Sequence, residues 1–503
     1  MSFIMNNGNI QRYMQSNTNK ALKGMSSQAL VTILTGVMEV VSFSVMSRVL
    51  SKEDFGLYAA INAIVLVFAS ISENGIGSAV IQKKEISARY IGNAFTLSII
   101  FGFISMTILV VTMLMIPDSI VSAQMKFPII LMSITLLLNS ASSVFCSILR
   151  RKLQFFQIGA VLLVSLVITT IVAVILALKG FGYYAIVTKA MLGSMISCIL
   201  FFFLSKTKYN LMIDIATFKS IFGFSGWLMA SAFFRDLSKQ IDKLIMPRVL
   251  SISELGAYTR PKDFLNTFSG KINGIFDGAL FPILSSIQDN NIALANAYKR
   301  SLYSMNLFSL LLALAFATNA ELLLRIFFGE EWLYLAPVFE VFSLLVFFNA
   351  DGRIADCYIR SLGKTKVQFY FRIVEFLAKA FGVLVGYHWG LLGVAIGTTL
   401  MECLLKLIKV IYAGSLVSIS KQTIFLILLQ SCRTSMILVP LCIIGHIFIT
   451  NGILGEFINL SIFVISTIVL LLFCPNIVGK EYKDDLFPTV KSFAMDLMKR
   501  KYK

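Results

Sequence analysis

Runs of about twenty apolar residues, each closed by a short polar segment, repeat from the first third of a hundred residues to the last fifty. A helix needs about 20 mostly apolar residues to cross a bilayer. Windows of that length fall near 26–49, 55–81, 91–116, 126–149, 156–178, 182–204, 220–249, 255–286, 301–325, 333–362, 367–387, 390–415, 424–449 and 453–474. The pattern predicts an all-α polytopic membrane protein with about fourteen transmembrane helices. Several windows are long enough to tilt or to project past the headgroups.

Composition agrees. Of the 503 residues, 57% are hydrophobic and 14% charged, against about 25% charged in an ordinary soluble domain, and the mean hydropathy is +0.83. No cleavage pattern follows the polar N-terminal residues Arg12, Lys20 and Lys23, so no removable signal peptide is expected and the first helix itself directs insertion. The net charge of +18 raises the question of nucleic acid, but it is spread over short loops as the positive-inside rule produces. With the N-terminus in the cytoplasm, twenty-eight Lys and Arg fall on that side, among them Arg372, Lys406 and Lys409. Only Arg48, Lys52, Lys126, Lys179, Arg248 and Arg325 fall on the other. That asymmetry places both termini inside. The seven cysteines stand singly in apolar stretches, and His388 and His446 are far apart; neither set has the spacing of a metal site or a disulfide framework.

One segment occurs twice. Arg48–Tyr58 reads RVLSKEDFGLY and Arg248–Tyr258 reads RVLSISELGAY. Six predicted helices separate the copies, an even number, so the two share an orientation. Parallel repeats of this kind are related by an axis along the membrane normal, and transporters so built bind substrate between the halves. A weaker echo links the turns at Arg150–Phe156 and Arg360–Phe369. Gly56 and Gly256 fit a tight turn or close helix packing, and Tyr58 and Tyr258 suit the membrane interface. The resulting division is a cytoplasmic segment 1–24, a lobe 25–205, a linker 206–218, a second lobe 219–415, two further helices in 420–474, and a basic tail 475–503.

Charges inside apolar spans mark function. On the seventh window Arg235, Lys239 and Asp242 share one helical stripe, with Asp236, Gln240 and Lys243 on the next. Arg260, Lys262, Asp263, Lys271 and Asp277 lie on the eighth, Asp351, Arg353 and Asp356 on the tenth, and Arg372, Glu375 and Lys379 on the eleventh. Such groups must face a wet cavity or one another. Glu375 and Lys379 have the favourable i,i+4 order for mutual neutralisation. In the first half Glu39 stands mid-helix with no partner on its own helix.

The chain resembles the bacterial polysaccharide exporters, the Wzx-type repeat-unit flippases of the multidrug/oligosaccharidyl-lipid/polysaccharide superfamily. The likeness is carried by RVLSKEDFGLY, ENGIGSAVIQKKEIS (Glu73–Ser87), LRRKLQF (Leu149–Phe155), GFGYYAIV (Gly180–Val187), DKLIMPRVLSISELGAYTR (Asp242–Arg260), LFPILSSIQD (Leu280–Asp289) and FFGEEW (Phe327–Trp332), in fixed order over roughly 20–415. Glu73 stands where that family commonly has Asp. The resemblance implies a MATE-like fold of two six-helix lobes in a V plus two C-terminal helices, in the inner membrane. It implies transport of a polyprenyl-pyrophosphate-linked oligosaccharide (O-antigen, capsule or exopolysaccharide) by alternating access, with no cofactor and no covalent chemistry. A polysaccharide polymerase and a chain-length regulator are the implied protein partners. Arg235, Lys239, Lys271, Arg260, Arg353 and Arg372 are then the candidate head-group contacts, or structural partners of the nearby acids. Glu39, Asp236, Asp242 and Asp277 are the candidates for cation or proton coupling. A drug–cation antiporter is the alternative within the class, and a membrane polysaccharide polymerase or ligase the alternative outside it.

Overall fold

The computed structural model describes residues 31–73, 76–82, 86–207, 212, 214–287, 290–448, 453–473, 475–478, 482–483 and 487–488; the side chains of 71–73, 215–229, 271–283 and 439–448 are among those outside the description. Every regular element among the described residues is helical. They are α1 (Val31–Val49), then α2 (Lys52–Glu73), α3 (Ile76–Gln82), α4 (Ala88–Met115), α5 (Ala123–Met132), α6 (Ile134–Arg151), α7 (Phe155–Leu178), α8 (Tyr184–Ser205) and α9 (Ile215–Val249). There follow α10 (Ile252–Ser286), α11 (Asn291–Thr318), α12 (Ala320–Phe327), α13 (Ala336–Ser361), α14 (Thr365–Gly386), α15 (Gly390–Leu416), α16 (Lys421–Phe448), α17 (Ile453–Phe473) and α18 (Pro475–Val478).

Each of the fourteen predicted windows holds helix. The fourth is split at Ser133, whose N–H is shared between the carbonyls of Ile129 (2.9 Å) and Ile130 (3.2 Å). Among the described residues ten stretches are long and apolar enough to cross a membrane, and one of them, Lys366–Leu416, runs through α14 and α15. The chain is a multi-pass membrane protein.

The repeated segment has a local physical reason. At Ser51 the hydroxyl accepts from Asp54 N–H (3.1 Å) while the Asp54 carboxylate accepts from Ser51 N–H (3.0 Å) and hydroxyl (2.7 Å). Ser251 and Glu254 make the same reciprocal box at 2.9, 2.9 and 3.1 Å. Each box satisfies orphan N–H groups at the start of α2 and of α10. Gly56 and Gly256 lie inside those helices and are buried, so they serve packing rather than a turn. Tyr258 is not interfacial: it is fully buried, with its hydroxyl 3.1 Å from that of Thr398. The weaker echo is also structural. Leu153 (φ 56°) and Gly363 (φ 71°) both close a left-handed turn, with Leu153 N–H to Arg150 C=O and Gln154 N–H to Leu149 C=O in one, and Gly363 N–H to Arg360 C=O and Lys364 N–H to Ile359 C=O in the other, all at 3.0 Å.

Large apolar side chains such as Phe103, Leu178, Leu377, Phe425 and Phe473 are exposed, while Asn93, Asn306, Asp351 and Lys409 are buried. That distribution fits lipid as the solvent. Lipid gives no hydrophobic drive for helices to associate, so close approach through small residues must hold them. α14 and α15 meet in this way, Gly382 and Gly386 against Gly393 and Gly397; a Cβ at Gly382 would stand 2.7 Å from the Gly397 carbonyl oxygen.

The chain divides into two compact units, Met1–Leu244 and Ile245–Lys503, the division falling within α9. In the first, buried Val144, Ile148 and Tyr90 form one apolar cluster and Phe145, Leu149 and Phe201 another. In the second, α11, α13, α15 and α16 enclose a core that includes Tyr298, Tyr358, Val410 and Ile424.

Candidate functional site

On α9, Arg235 grips its neighbour Asp236 with two hydrogen bonds of 2.9 Å, one from Nε and one from an Nη. Lys239, one turn on, stands 3.7 Å from the same carboxylate. The Lys239 side chain is 63% exposed and that of Arg235 37%, a high exposure for charges on a helix of an apolar chain. Asp242 is fully buried and accepts from Lys243 N–H at 3.0 Å. The structure thus brings together Arg235, Asp236 and Lys239, crossing the two stripes drawn from helical spacing. The side chains of Lys271 and Asp277 lie outside the described residues, as does that of Glu73. Glu39 is half-buried on α1, one turn from Ser42, to which Lys189 of α8 donates. Arg260 is half-buried on α10 and Arg353 exposed on α13.

The denser cluster lies inside the second unit and has two centres. Glu402 of α15 is met by Lys406 (2.9 Å), by Lys379 of α14 (3.0 Å) and by Lys262 of α10 (3.7 Å). Lys406 also donates to the Asn349 side-chain oxygen at 2.5 Å. Lys262 donates to the Tyr258 hydroxyl (2.9 Å) and lies 4.9 Å from that ring's centroid and 5.3 Å from that of Phe342. About two turns along α15, Lys409 sits between Asp356 (3.3 Å) and Glu375 (3.4 Å). Arg372 closes that centre, 2.5 Å from Asp356 and 2.6 Å from Glu375.

These groups are deep. Lys262, Lys379, Lys406 and Lys409 are buried, Lys409 at 1% exposure. A charge in a low-dielectric interior is tolerated only when paired and hydrogen-bonded, and each lysine is. Among the described residues these contacts set five cations (Lys262, Lys379, Lys406, Lys409, Arg372) around three carboxylates (Glu402, Asp356, Glu375). In these contacts cations outnumber acids. Chemically the cluster can compensate an anion with several charged oxygens; a lysine ammonium offers three donors and a guanidinium five.

Two sequence assignments are corrected here. Arg372, Lys406 and Lys409 are not loop charges: α14 and α15 extend past them and their acidic partners hold them inside the helix bundle. Glu375 is held by Arg372 and Lys409, and Lys379 turns to Glu402, in place of the expected Glu375–Lys379 pairing. Glu402 was missed, although Glu402, Lys406 and Lys409 recur at helical spacing on one face. Among the described residues no three His, Cys, Asp or Glu gather to hold a metal. Cys146, Cys198, Cys357, Cys403 and Cys432 are free thiols, and Cys442, Cys474 and His446 lie outside the described residues.

Residues 45–337 match the family model described as polysaccharide biosynthesis protein. The lipopolysaccharide biosynthesis protein WzxC of Escherichia coli (strain K12) is 23% identical over 392 residues, covering 76% of this chain and 78% of that protein. Among solved structures, the lipid II flippase MurJ in an inward closed conformation superposes with a TM-score of 0.65 at 14% identity, over 88% of this chain and 97% of that one. An inward-facing multidrug resistance transporter of the MATE family, in the MOP superfamily, gives 0.63 at 13% identity over 78% and 98%. The fold is that of these transporters.

Proposed function

This chain belongs to the polysaccharide biosynthesis protein family, and from that membership we propose that it is a flippase for a lipid-linked oligosaccharide. Its substrate is a polyprenyl-pyrophosphate-linked repeat unit of O-antigen, capsule or exopolysaccharide, carried from the cytoplasmic to the outer leaflet of a bacterial inner membrane. The observation that carries the reading is the buried cluster with five cations and three carboxylates. A pyrophosphate is the anion whose dense charge suits such a set of cations, and the name of the WzxC relative supports a polysaccharide precursor as its bearer.

In this reading the protein makes and breaks no covalent bond. Arg235 and Lys239, accessible cations within α9, contact the pyrophosphate directly. The cations around Glu402 lower the cost of holding an anion within the bilayer. The polyprenyl tail stays in lipid, so only the head needs a polar route, and alternating access supplies it. Twenty-five cytoplasmic Lys and Arg remain against six after Arg372, Lys406 and Lys409 are removed, which supports both termini inside.

The test is deletion of the gene in its own host. The expected result is loss of one surface polysaccharide with accumulation of its lipid-linked repeat unit on the cytoplasmic leaflet. Unaltered polysaccharide together with new sensitivity to cationic dyes overturns the reading in favour of a drug–cation antiporter.

A further inference from the structure

Arg433 lies in the middle of α16 and belongs to neither charged centre. It stands twelve residues past Lys421, the first of that helix, about 18 Å along its axis. Apolar residues begin at Ile424, so Arg433 lies nine residues, about 14 Å, into a hydrocarbon core about 30 Å thick. That depth is close to the midplane.

The arginine is turned away from the second unit's core. On one side of α16, Ile424, Ile427, Ser431 and Leu438 are buried, three of them within the apolar core. Arg433 is exposed on the other side, in line with exposed Phe425, Leu426 and Leu429, which precede it by eight, seven and four residues and so share its stripe. Large exposed apolar side chains of that kind face lipid rather than a wet cavity. Gln430, half-buried, flanks Arg433 one turn earlier.

Nothing within the chain balances this charge. Among the described residues Arg433 makes no ion pair and no hydrogen bond. The helices α11, α15, α17 and α18 pack against α16. Of these, α11 and α18 carry no acid, Glu402 of α15 is held by its three lysines, and Glu456 of α17 is met by Arg325 at 3.3 Å.

An arginine at this depth is costly, and such residues ordinarily turn inward or pair. Lipid phosphates lie at the headgroup level, about 14 Å away, and a second copy packed by two-fold symmetry sets arginine against arginine. A carboxylate on a neighbouring membrane helix has both the charge and the depth, and amide side chains such as that of Gln430 help to join helices in lipid. We propose that the outward face of α16 at Arg433 is the docking surface for a membrane helix of another protein, one that carries a carboxylate at mid-depth. The apolar stripe supplies the packing face and the guanidinium a bidentate anchor. The surface is separate from the substrate cluster and stands whether or not the chain moves a lipid-linked sugar.

The test places the purified full-length chain in lipid vesicles with a synthetic polyleucine helix that spans the bilayer and carries one Asp at its centre. Energy transfer between fluorophores on the two reports association. The Asp helix is expected to associate about 10-fold more tightly than an all-leucine helix, or than one whose Asp lies a turn from its end. Arg433→Leu removes the preference while membrane level and Tm stay at or above wild type, and Arg433→Lys keeps part of it. Equal association of the Asp and all-leucine helices with wild type, or a preference that survives in Arg433→Leu, overturns the proposal. So does a Tm lowered by Arg433→Leu, which gives the arginine a partner inside the chain. An anionic phospholipid retained by wild type through purification and lost from Arg433→Leu, with no preference for the Asp helix, assigns the face to a lipid phosphate instead.

Discussion

Lys409 shows what a single buried charge does in this chain. At 1% exposure it lies 3.3 Å from Asp356 and 3.4 Å from Glu375, and Arg372 shares the task of balancing those acids. A buried ion pair adds little net stability against an apolar pair, yet removing one partner strands the other and costs about 3–5 kcal/mol. Lys409→Met is therefore expected to lower thermal stability in nanodiscs by that order and to reduce the amount of protein in the membrane. The double variant Lys409→Met/Glu375→Gln removes one stranded acid and should recover most of the loss. Equal melting of Lys409→Met and wild type would mean that the acids are satisfied without it. At this scale the sequence was only partly readable. Lys409 and Lys406 sit near the end of an apolar run, where a charge is ordinarily a loop residue; the i,i+4 spacing of Glu402 and Lys406 was a local signal, but nothing local tells that Glu375 draws Lys409 inward. Arg372 was recognised as notable, but its partner Asp356 is sixteen residues away on another helix, a distance that helical periodicity cannot bridge.

Elements were more legible than contacts, because each is set by residues close in sequence. The windows of apolar residues anticipated the spans, and the recurrence of RVLS, followed three residues after its Ser by Asp54 or Glu254, carried the signature of two reciprocal caps, although it was read only as a repeat. The same logic failed for Tyr258, whose burial depends on Thr398 and Phe342, neither of them local. It also passed over the pairing of α14 with α15. There, Gly382 and Gly386 meet Gly393 and Gly397 with backbone against backbone, and the four-residue spacing on each helix is the signature of close approach in lipid. A leucine at Gly386 would collide with the Gly393 carbonyl, which is backbone and cannot move aside. Gly386→Leu is thus expected to separate the two helices and deplete the full-length chain from membranes, whereas Leu384→Ala, half-exposed on the lipid side, leaves the level unchanged. Immunoblotting of membrane fractions reads both. Comparable levels of the two variants would remove the glycine contact from the fold's support.

Across the whole molecule the duplication has kept its architecture and diverged in chemistry. Both units repeat the capped entry to a long helix and the left-handed turn at Leu153 or Gly363. Yet the buried ionic residues among the described positions are Asp242 in the first unit and Lys262, Asp351, Lys379, Lys406 and Lys409 in the second; the first unit buries Ser, Thr and Asn instead. Such an asymmetry separates two kinds of charge, those that hold the second unit together and those left accessible to a substrate. Arg235 and Lys239 are of the accessible kind, at 37% and 63% side-chain exposure on α9. Loss of one charge-assisted contact to a phosphate weakens binding by roughly 1.5–3 kcal/mol, or about 10- to 100-fold. Arg235→Ala and Lys239→Ala are therefore expected to reduce export of the repeat unit by about that factor at subsaturating substrate while melting temperature and membrane level stay near wild type. Lys409→Met removes one charge of the buried cluster and no direct contact, so export per folded molecule should fall less than in the α9 variants, most of its loss following the protein lost. Measuring export per folded molecule, in cells that carry each variant as sole copy, separates the two. If export per folded molecule falls for Lys409→Met and holds for the α9 variants, the head group is read by the buried cluster and the contact residues on α9 are wrongly chosen.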